Sequence, residues 1–363
     1  MAVNGRLRCL IAAMPKVELH RHLEGAIRLE TLVDIARQYH IPLPGYQVDD
    51  LRPHVQMTAG EPRNSDRFLS KFSLLRHFFR SPEVVRRITA ETVADAAADN
   101  VRYLELRFTP FALASQMRFP LPEVMAWVCD AAMQAAAEHG IKVGLIASIN
   151  RHERVELGLQ TVQAALAFRE RGVIGLDLAG REVGFPARRF GPLFLEARRE
   201  GLGITVHAGE WQGPANVRDA IEHMGADRIG HGVRVVEDSR VAALARERGV
   251  VFEVCPTSNL HSGVVADLRQ HPLLDMHYLG LPVTINTDDP AISNISLTDE
   301  YVLAADVFGF SLEALRQGVL TAAQASFLPQ AEKEALLASL QRELDRALGG
   351  QAGAPDQQQV SKV

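Results

Sequence analysis

Gly140-Ile-Lys-Val-Gly-Leu-Ile-Ala147 is the stretch that decides the fold. A glycine suited to a left-handed helix C-terminus stands directly before a short β-branched apolar run, which reads as a helix end followed by a buried strand. The same grammar returns along the chain. Gly172 precedes Val173-Ile-Gly-Leu-Asp-Leu178, Gly201 stands before Gly203-Ile-Thr-Val206, and Gly225 before Asp227-Arg-Ile-Gly230. Gly249 precedes Val250-Val-Phe-Glu-Val254, and Gly280 precedes Leu281-Pro-Val-Thr-Ile-Asn286. Helix starts are marked as well: Ser81-Pro82-Glu83 sets a capping residue ahead of a first-turn proline, and Asp238-Ser239 opens the helix after residue 237. Helices alternating with buried strands imply a parallel sheet.

Two further strands, Val17-Glu-Leu-His20 and Val101-Arg-Tyr-Leu-Glu-Leu-Arg107, bring the number to eight. Eight parallel strands separated by helices predict an α/β protein of the (β/α)8 TIM-barrel class, with one domain over residues 1–348. An open doubly wound sheet would carry a Gly-rich nucleotide turn after its first strand, and neither G-x-G-x-x-G nor a Walker sequence occurs. About 80 residues separate the first two strands, where later units take roughly 20 to 40. A helical insertion is therefore expected at about 28–100, with helical patterns at Leu29 to Tyr39, Arg67 to Phe79 and Val84 to Ala97. Its Phe68, Phe72, Leu75 and Phe78-Phe79 cluster reads mainly as core of the inserted helices, although an insertion at this place can also cap the pocket as a lid. Residues 349–363, rich in Gly and Gln without periodicity, are expected to form a disordered tail.

Composition narrows the function. The 363 residues hold 39 Lys plus Arg against 44 Asp plus Glu, a net charge of −5, which argues against a nucleic-acid partner gripped by a basic face. The apolar run Cys9 to Met14 is too short for a membrane span or a signal peptide, so no membrane partner is expected. Cys9, Cys129 and Cys255 stand far apart without a Cys-x-x-Cys, which leaves neither a disulfide framework nor a thiolate metal site and points to the cytoplasm.

Catalytic groups of such a barrel come from the C-terminal ends of its strands. Here those ends carry His20 and His22, Arg107, Asn150, Gly180, His207 and Glu210, His231, Asn259, then Asp288 and Asp289. In His20-Arg21-His22 a spacing of two turns both imidazoles to one face of the strand. An H-x-H alone reads equally well as surface. His207 and Asp288 end two other strands, and three imidazoles with one carboxylate at matching positions make a metal site the better reading. Nitrogen and oxygen donors without thiolate suit zinc, with iron, cobalt or manganese as alternatives. Glu210 is a candidate general acid or, equally by position, a helix N-terminal acid. His231, between Gly230 and Gly232, has room for a substrate beside it but could also be a core histidine. Asp289 can hydrogen-bond a substrate or a metal-held water while Asp288 ligates, or the pair can cap a helix. Together these groups suit hydrolysis by a metal-activated water.

Seven motifs in order closely resemble the adenosine deaminase family of the amidohydrolase superfamily. They are Pro15-Lys-Val-Glu-Leu-His-Arg-His-Leu-Glu-Gly25, Tyr103-Leu-Glu-Leu-Arg-Phe-Thr-Pro110, Leu176-Asp-Leu-Ala-Gly180, Val206-His-Ala-Gly-Glu210, Arg228-Ile-Gly-His-Gly232, Cys255-Pro-Thr-Ser-Asn259 and Ile285-Asn-Thr-Asp-Asp-Pro290. The resemblance implies an eight-stranded barrel with one zinc held by His20, His22, His207 and Asp288. It implies that Glu210 protonates N1 of a purine and that His231 orients and deprotonates the attacking water. By the same likeness Asp289 holds the water and accepts from the purine N7 side, the N–H of Gly180 meets N3, and His22 and Glu24 border the substrate. The strand-four end lacks the lysine that bridges two metals in binuclear relatives, so one metal is expected.

Two departures concern the substrate. Residue 24 is Glu where well-known adenosine deaminases carry Asp for the ribose 5′-hydroxyl, and adenine-specific relatives tend to show Glu. Arg181-Glu182 follows Gly180 where the family often has Asp-Glu, which places a cation near the pocket rim. The expected reaction is deamination of a 6-aminopurine nucleoside, most simply adenosine or 2′-deoxyadenosine. Adenine, aminodeoxyfutalosine or a 5′-substituted adenosine are the alternatives, followed by another metal-dependent hydrolysis on the same barrel or non-catalytic purine binding.

Overall fold

The computed structural model describes residues 5–349. Eight strands run in sequence order around one parallel sheet: β1 Lys16–His22, β2 Val101–Phe108, β3 Lys142–Asn150, β4 Val173–Ala179, β5 Gly203–Ala208, β6 Arg228–His231, β7 Val251–Val254 and β8 Val283–Ile285. Each strand pairs with its successor. A parallel bridge from Arg21 to Asp288 brings the end of the chain's last strand back onto β1. This is the (β/α)8 barrel expected from the repeated helix-to-strand grammar.

The seam between β8 and β1 is stitched largely by side chains. Asn286 Oδ1 accepts the Leu19 N–H at 2.9 Å, and Glu18 Oε1 accepts the N–H of Thr287 at 3.0 Å. β8 is assigned only to Val283–Ile285 rather than to the 281–286 of the sequence pattern, although Pro282 O and the Asn286 N–H on either side still bond to the β7 backbone at 2.9 Å. Further out, the His22 N–H donates to Asp288 O at 2.8 Å and the Asp288 N–H to His20 O at 3.0 Å. The two segments that carry the metal-binding candidates are thereby locked together.

Helix ends follow the sequence signals. Ser81 Oγ accepts the Val84 N–H ahead of Pro82–Ala98, and Asp238 Oδ1 accepts the Arg240 N–H at 2.9 Å. Gly140 and Gly225 close their helices at φ +67° and +66°, where a Cβ would be strained.

Between β1 and β2 lie the helices Leu29–Tyr39, Val48–Val55, Ser65–Leu75 and Pro82–Ala98, with a 3₁₀ turn at Arg76–Phe78. Pro82–Ala98 packs on β2 and on the helix Leu121–His139, so it belongs to the ring around the barrel. Phe68, Leu75, Phe78 and Phe79 are buried. Phe68 and Phe72 nevertheless border the cavity at the strand ends. The last helix, Gln330–Gly349, takes in Gly349, and the remainder of the expected tail lies outside the described residues. Among the described residues no helix is long and apolar enough to cross a membrane.

Candidate active site

The cavity of about 410 Å³ at the C-terminal ends of the strands is lined by His22, Glu24, Gly180, His207, Glu210, His231, Asp288 and Asp289, among others. His20 is fully buried, and its ring centroid lies 4.7 Å from that of His207 and 4.9 Å from that of His231. The nine residues given metal-binding, catalytic or substrate roles in the sequence are therefore brought to one place; of the other strand-end residues Asn150 lines the same cavity, while Arg107 and Asn259 are fully buried. Two of the nine reach it at a backbone cost: His231 and Asp288 hold φ of +58° and +64°, in the left-handed region that non-glycine residues rarely occupy. Both stand where a strand ends and the chain must turn to present a side chain to the cavity.

Within the cluster His20 Nε2 lies 3.1 Å from Asp288 Oδ1, His22 Nε2 lies 3.3 Å from the same oxygen, and His22 Nε2 faces His207 Nε2 at 3.3 Å. A tetrahedron with metal–nitrogen bonds of about 2.0–2.1 Å has edges of about 3.3 Å, so these separations suit one small cation. Burial pushes the His22 and His207 imidazoles down, toward the neutral form that ligates. His20, His207, His231 and Asp288 also converge as possible donors. His231 Nε2, however, stands 3.9 Å from Asp288 Oδ2, longer than such an edge. The short separations join His20, His22, His207 and Asp288.

The ligand candidates are oriented from behind. Glu253 Oε2 holds His20 Nδ1 at 2.9 Å and Asp177 Oδ1 holds His207 Nδ1 at 2.9 Å, while the Ser258 hydroxyl donates to Asp288 Oδ2 at 2.6 Å. Such partners fix the ring face presented to a metal. Arg107 ties the two acids together, with Nη2 2.8 Å from Glu253 and Nη1 3.5 Å from Asp177. Burial raises Asp288, but the His20 hydrogen bond and the surrounding imidazoles outweigh it and hold the carboxyl well below its ordinary range.

The acids that face the cavity behave oppositely. Burial, then the Asp288 and Glu182 charges, pushes Glu210 well up; burial, then Asp288 and Glu24, does the same to Asp289. Glu24 is also raised by burial. Asp289 Oδ1 and Glu24 Oε2 are buried without a hydrogen-bond partner, while Glu24 Oε1 accepts the Thr109 N–H at 2.8 Å. Buried polar atoms left open toward a cavity are where a ligand's own polar groups can dock.

Sequence reasoning passed over Asp177, Glu253, Ser258 and Glu182. An acid inside an apolar strand run, as in Leu176-Asp-Leu178 and Phe252-Glu-Val254, was the available signal for the first two. Glu182 is buried and accepts the N–H groups of Gly209, Glu210, Trp211 and Gln212 at 2.8, 3.1, 2.8 and 2.9 Å, and the Asn216 amide at 2.9 Å. It thereby pins the loop that carries Glu210. Arg181 Nη1, by contrast, pairs with Asp66 at 2.8 Å on an exposed surface, so its charge is already matched.

The family described as "Adenosine deaminase" matches residues 15–343. The chain belongs to the adenosine deaminase family. An adenosine deaminase of Yersinia pseudotuberculosis serotype IB (strain PB1/+) is 39% identical over 323 residues, 89% of this chain and 96% of that protein. Among solved structures, an amidohydrolase of Burkholderia ambifaria with bound Zn superposes with a TM-score of 0.88 at 29% identity, covering 96% of each chain. The adenine deaminase of Arthrobacter aurescens superposes with a TM-score of 0.84 at 28% identity over 91% of this chain and 98% of that one. This adenosine deaminase family member is accordingly a hydrolytic deaminase of adenosine or a related 6-aminopurine.

Proposed function

We propose that the chain converts adenosine or 2′-deoxyadenosine to the corresponding inosine and ammonia, using one zinc ion held by His20, His22, His207 and Asp288. What supports this reading most is the Glu210 carboxyl, pushed well up by burial, in the cavity that also holds the imidazole–carboxylate cluster. Zinc is favoured over other divalent metals by the all-nitrogen-and-oxygen tetrahedral set and by the zinc in the Burkholderia relative. Bound there, it would supply the Lewis acidity that brings a water toward ionisation near neutral pH.

The chain's own groups then divide the work. Glu210 donates its proton to the ring nitrogen next to C6, which draws electron density from the carbon to be attacked. His231 orients the attacking water. The Asp289 carboxyl, also pushed up, donates to N7, a ring acceptor, through the Oδ1 edge that no protein group uses. Gly180, at φ +83° and with no space for a Cβ beside His152 Nδ1, lets its backbone approach the purine closely enough to meet N3.

A nucleoside is favoured over free adenine because the cavity continues past Glu24 to Phe68, Phe72 and Thr109, and Glu24 Oε2 is open to a sugar hydroxyl. The 39% identity to adenosine deaminase, against 28% to adenine deaminase, points the same way. The cysteine usage fits the cytoplasm. The test is ammonia release from adenosine, 2′-deoxyadenosine, adenine, 5′-methylthioadenosine and aminodeoxyfutalosine, with metal content measured on the same preparation. Turnover of adenosine is expected; turnover of adenine alone would move the activity to the free base, and none at all would sink the reading.

A further inference from the structure

His271, which no motif singled out, is joined to His231 through a chain of hydrogen bonds whose direction is set by the backbone. The Leu273 N–H donates to His271 Nδ1 at 3.0 Å, so that nitrogen is an acceptor. The proton of the neutral ring then sits on His271 Nε2, 3.0 Å from Asn259 Oδ1. With its oxygen accepting, the Asn259 amide turns its Nδ2 hydrogens to His231 Nδ1 at 3.1 Å. His231 Nδ1 is therefore an acceptor too, and the proton of its neutral ring lies on Nε2. That nitrogen stands 3.8 Å from Glu210 Oε2 and 3.9 Å from Asp288 Oδ2, beyond hydrogen-bond distance of either, which leaves its hydrogen for a ligand.

Accepting the deaminase reading of the site, we infer that His271 is a positioning residue which, acting through Asn259, fixes His231 as the Nε2–H tautomer. His231 then donates a hydrogen bond to the oxygen that attacks C6; the proton which that oxygen gives up passes to solvent as the water ionises, not to His231. Burial supports the arrangement by pushing His271 down to about 3, which keeps the ring neutral with Nδ1 free to accept. His271, Asn259 and His231 are all buried, so bulk water does not compete for these bonds.

Asn259→Asp gives the decisive comparison, because a carboxylate has the amide's shape but can only accept. It would still receive the His271 Nε2 proton, while forcing the His231 proton onto Nδ1 and leaving a lone pair at Nε2. If His231 is a donor, N259D lowers kcat at least about tenfold. Unchanged or raised kcat in N259D would show a base and overturn the inference. His271→Leu removes the donor and is expected to lower kcat with KM within about threefold, whereas His271→Gln, which can still donate to Asn259, restores most of it. Equal losses in H271L and H271Q would mark a packing role and overturn it. A readout independent of turnover is ¹⁵N NMR of the metal-loaded protein labelled in histidine. A protonated Nε2 and bare Nδ1 at His231 are expected, and the reverse overturns the inference even if the protein deaminated no 6-aminopurine, an outcome that would sink only the function.

Discussion

Asp177 Oδ1 lies 2.9 Å from His207 Nδ1, and the other oxygen of the same carboxylate accepts the Ser148 hydroxyl at 3.0 Å. The pair dictates which imidazole nitrogen meets the metal. A carboxylate accepts, so Nδ1 carries the proton and Nε2 is left with its lone pair toward His22. Asp177→Asn allows the amide to offer a hydrogen instead and favours the other tautomer. Metal affinity is expected to fall about 10- to 100-fold, read by chelator competition with metal content and ammonia release followed together. An unchanged affinity would separate His207 from the ligand set.

Glu210→Gln keeps the shape of the acid and removes its transferable proton. The expected loss in kcat is about 10²- to 10⁴-fold with the metal still bound, since Glu210 is absent from the cluster of possible donors. Undiminished ammonia release would end its assignment as the acid.

Gly25 is glycine because of Asp289. A Cβ at position 25 would stand 1.7 Å from Asp289 Oδ1 and 2.4 Å from its Cγ. Gly25→Ala must therefore displace the carboxyl or the loop, at a typical overpacking cost of about 1–3 kcal/mol. kcat/KM is expected to fall far more than the unfolding midpoint. A fully active G25A would show that the position of Asp289 is unimportant to turnover.

Glu61 and Lys71 join the loop ahead of Ser65–Leu75 to that helix, with Lys71 Nζ 2.9 Å from Glu61 Oε2 and also donating to Pro53 O at 3.0 Å. Burial tends to raise the Glu61 carboxyl, but hydrogen bonds from Arg67 and Lys71 bring it down to about 2. Burial also lowers Lys71, so part of what the acid gains is given back by the amine. A carboxyl depressed in the folded state contributes stability that is complete above its ordinary value near 4.5 and lost as pH falls through about 2. Glu61→Gln leaves Lys71 only neutral acceptors, the Pro53 carbonyl and the new amide oxygen, and is expected to cost about 1.5–3 kcal/mol at pH 7. Thermal unfolding should show the gap from wild type closing between pH 4.5 and 2. A gap independent of pH would remove the ion pair from the account.

The sequence by itself determined the architecture and which polar residues stand at the strand ends. Glycine-then-strand repeats are local signals, set by left-handed backbone at helix ends and by β-branched residues in buried strands, and the barrel follows once eight of them are counted. Because barrel strands all end on one face, His20, His207, His231 and Asp288 could be placed together from their position in each repeat. What tertiary structure decided was the state of those groups. Whether Glu210 holds a proton depends on burial and on Asp288 and Glu182, remote in the chain. Which nitrogen His207 offers depends on Asp177 in the neighbouring strand, and which one His231 offers depends on Asn259 and His271. Arg181 looked like a free cation until Asp66, 115 positions earlier, proved to face it. Ionisation and tautomer are set by neighbours a few ångströms away in space, and local periodicity carries no information about which distant residues those are.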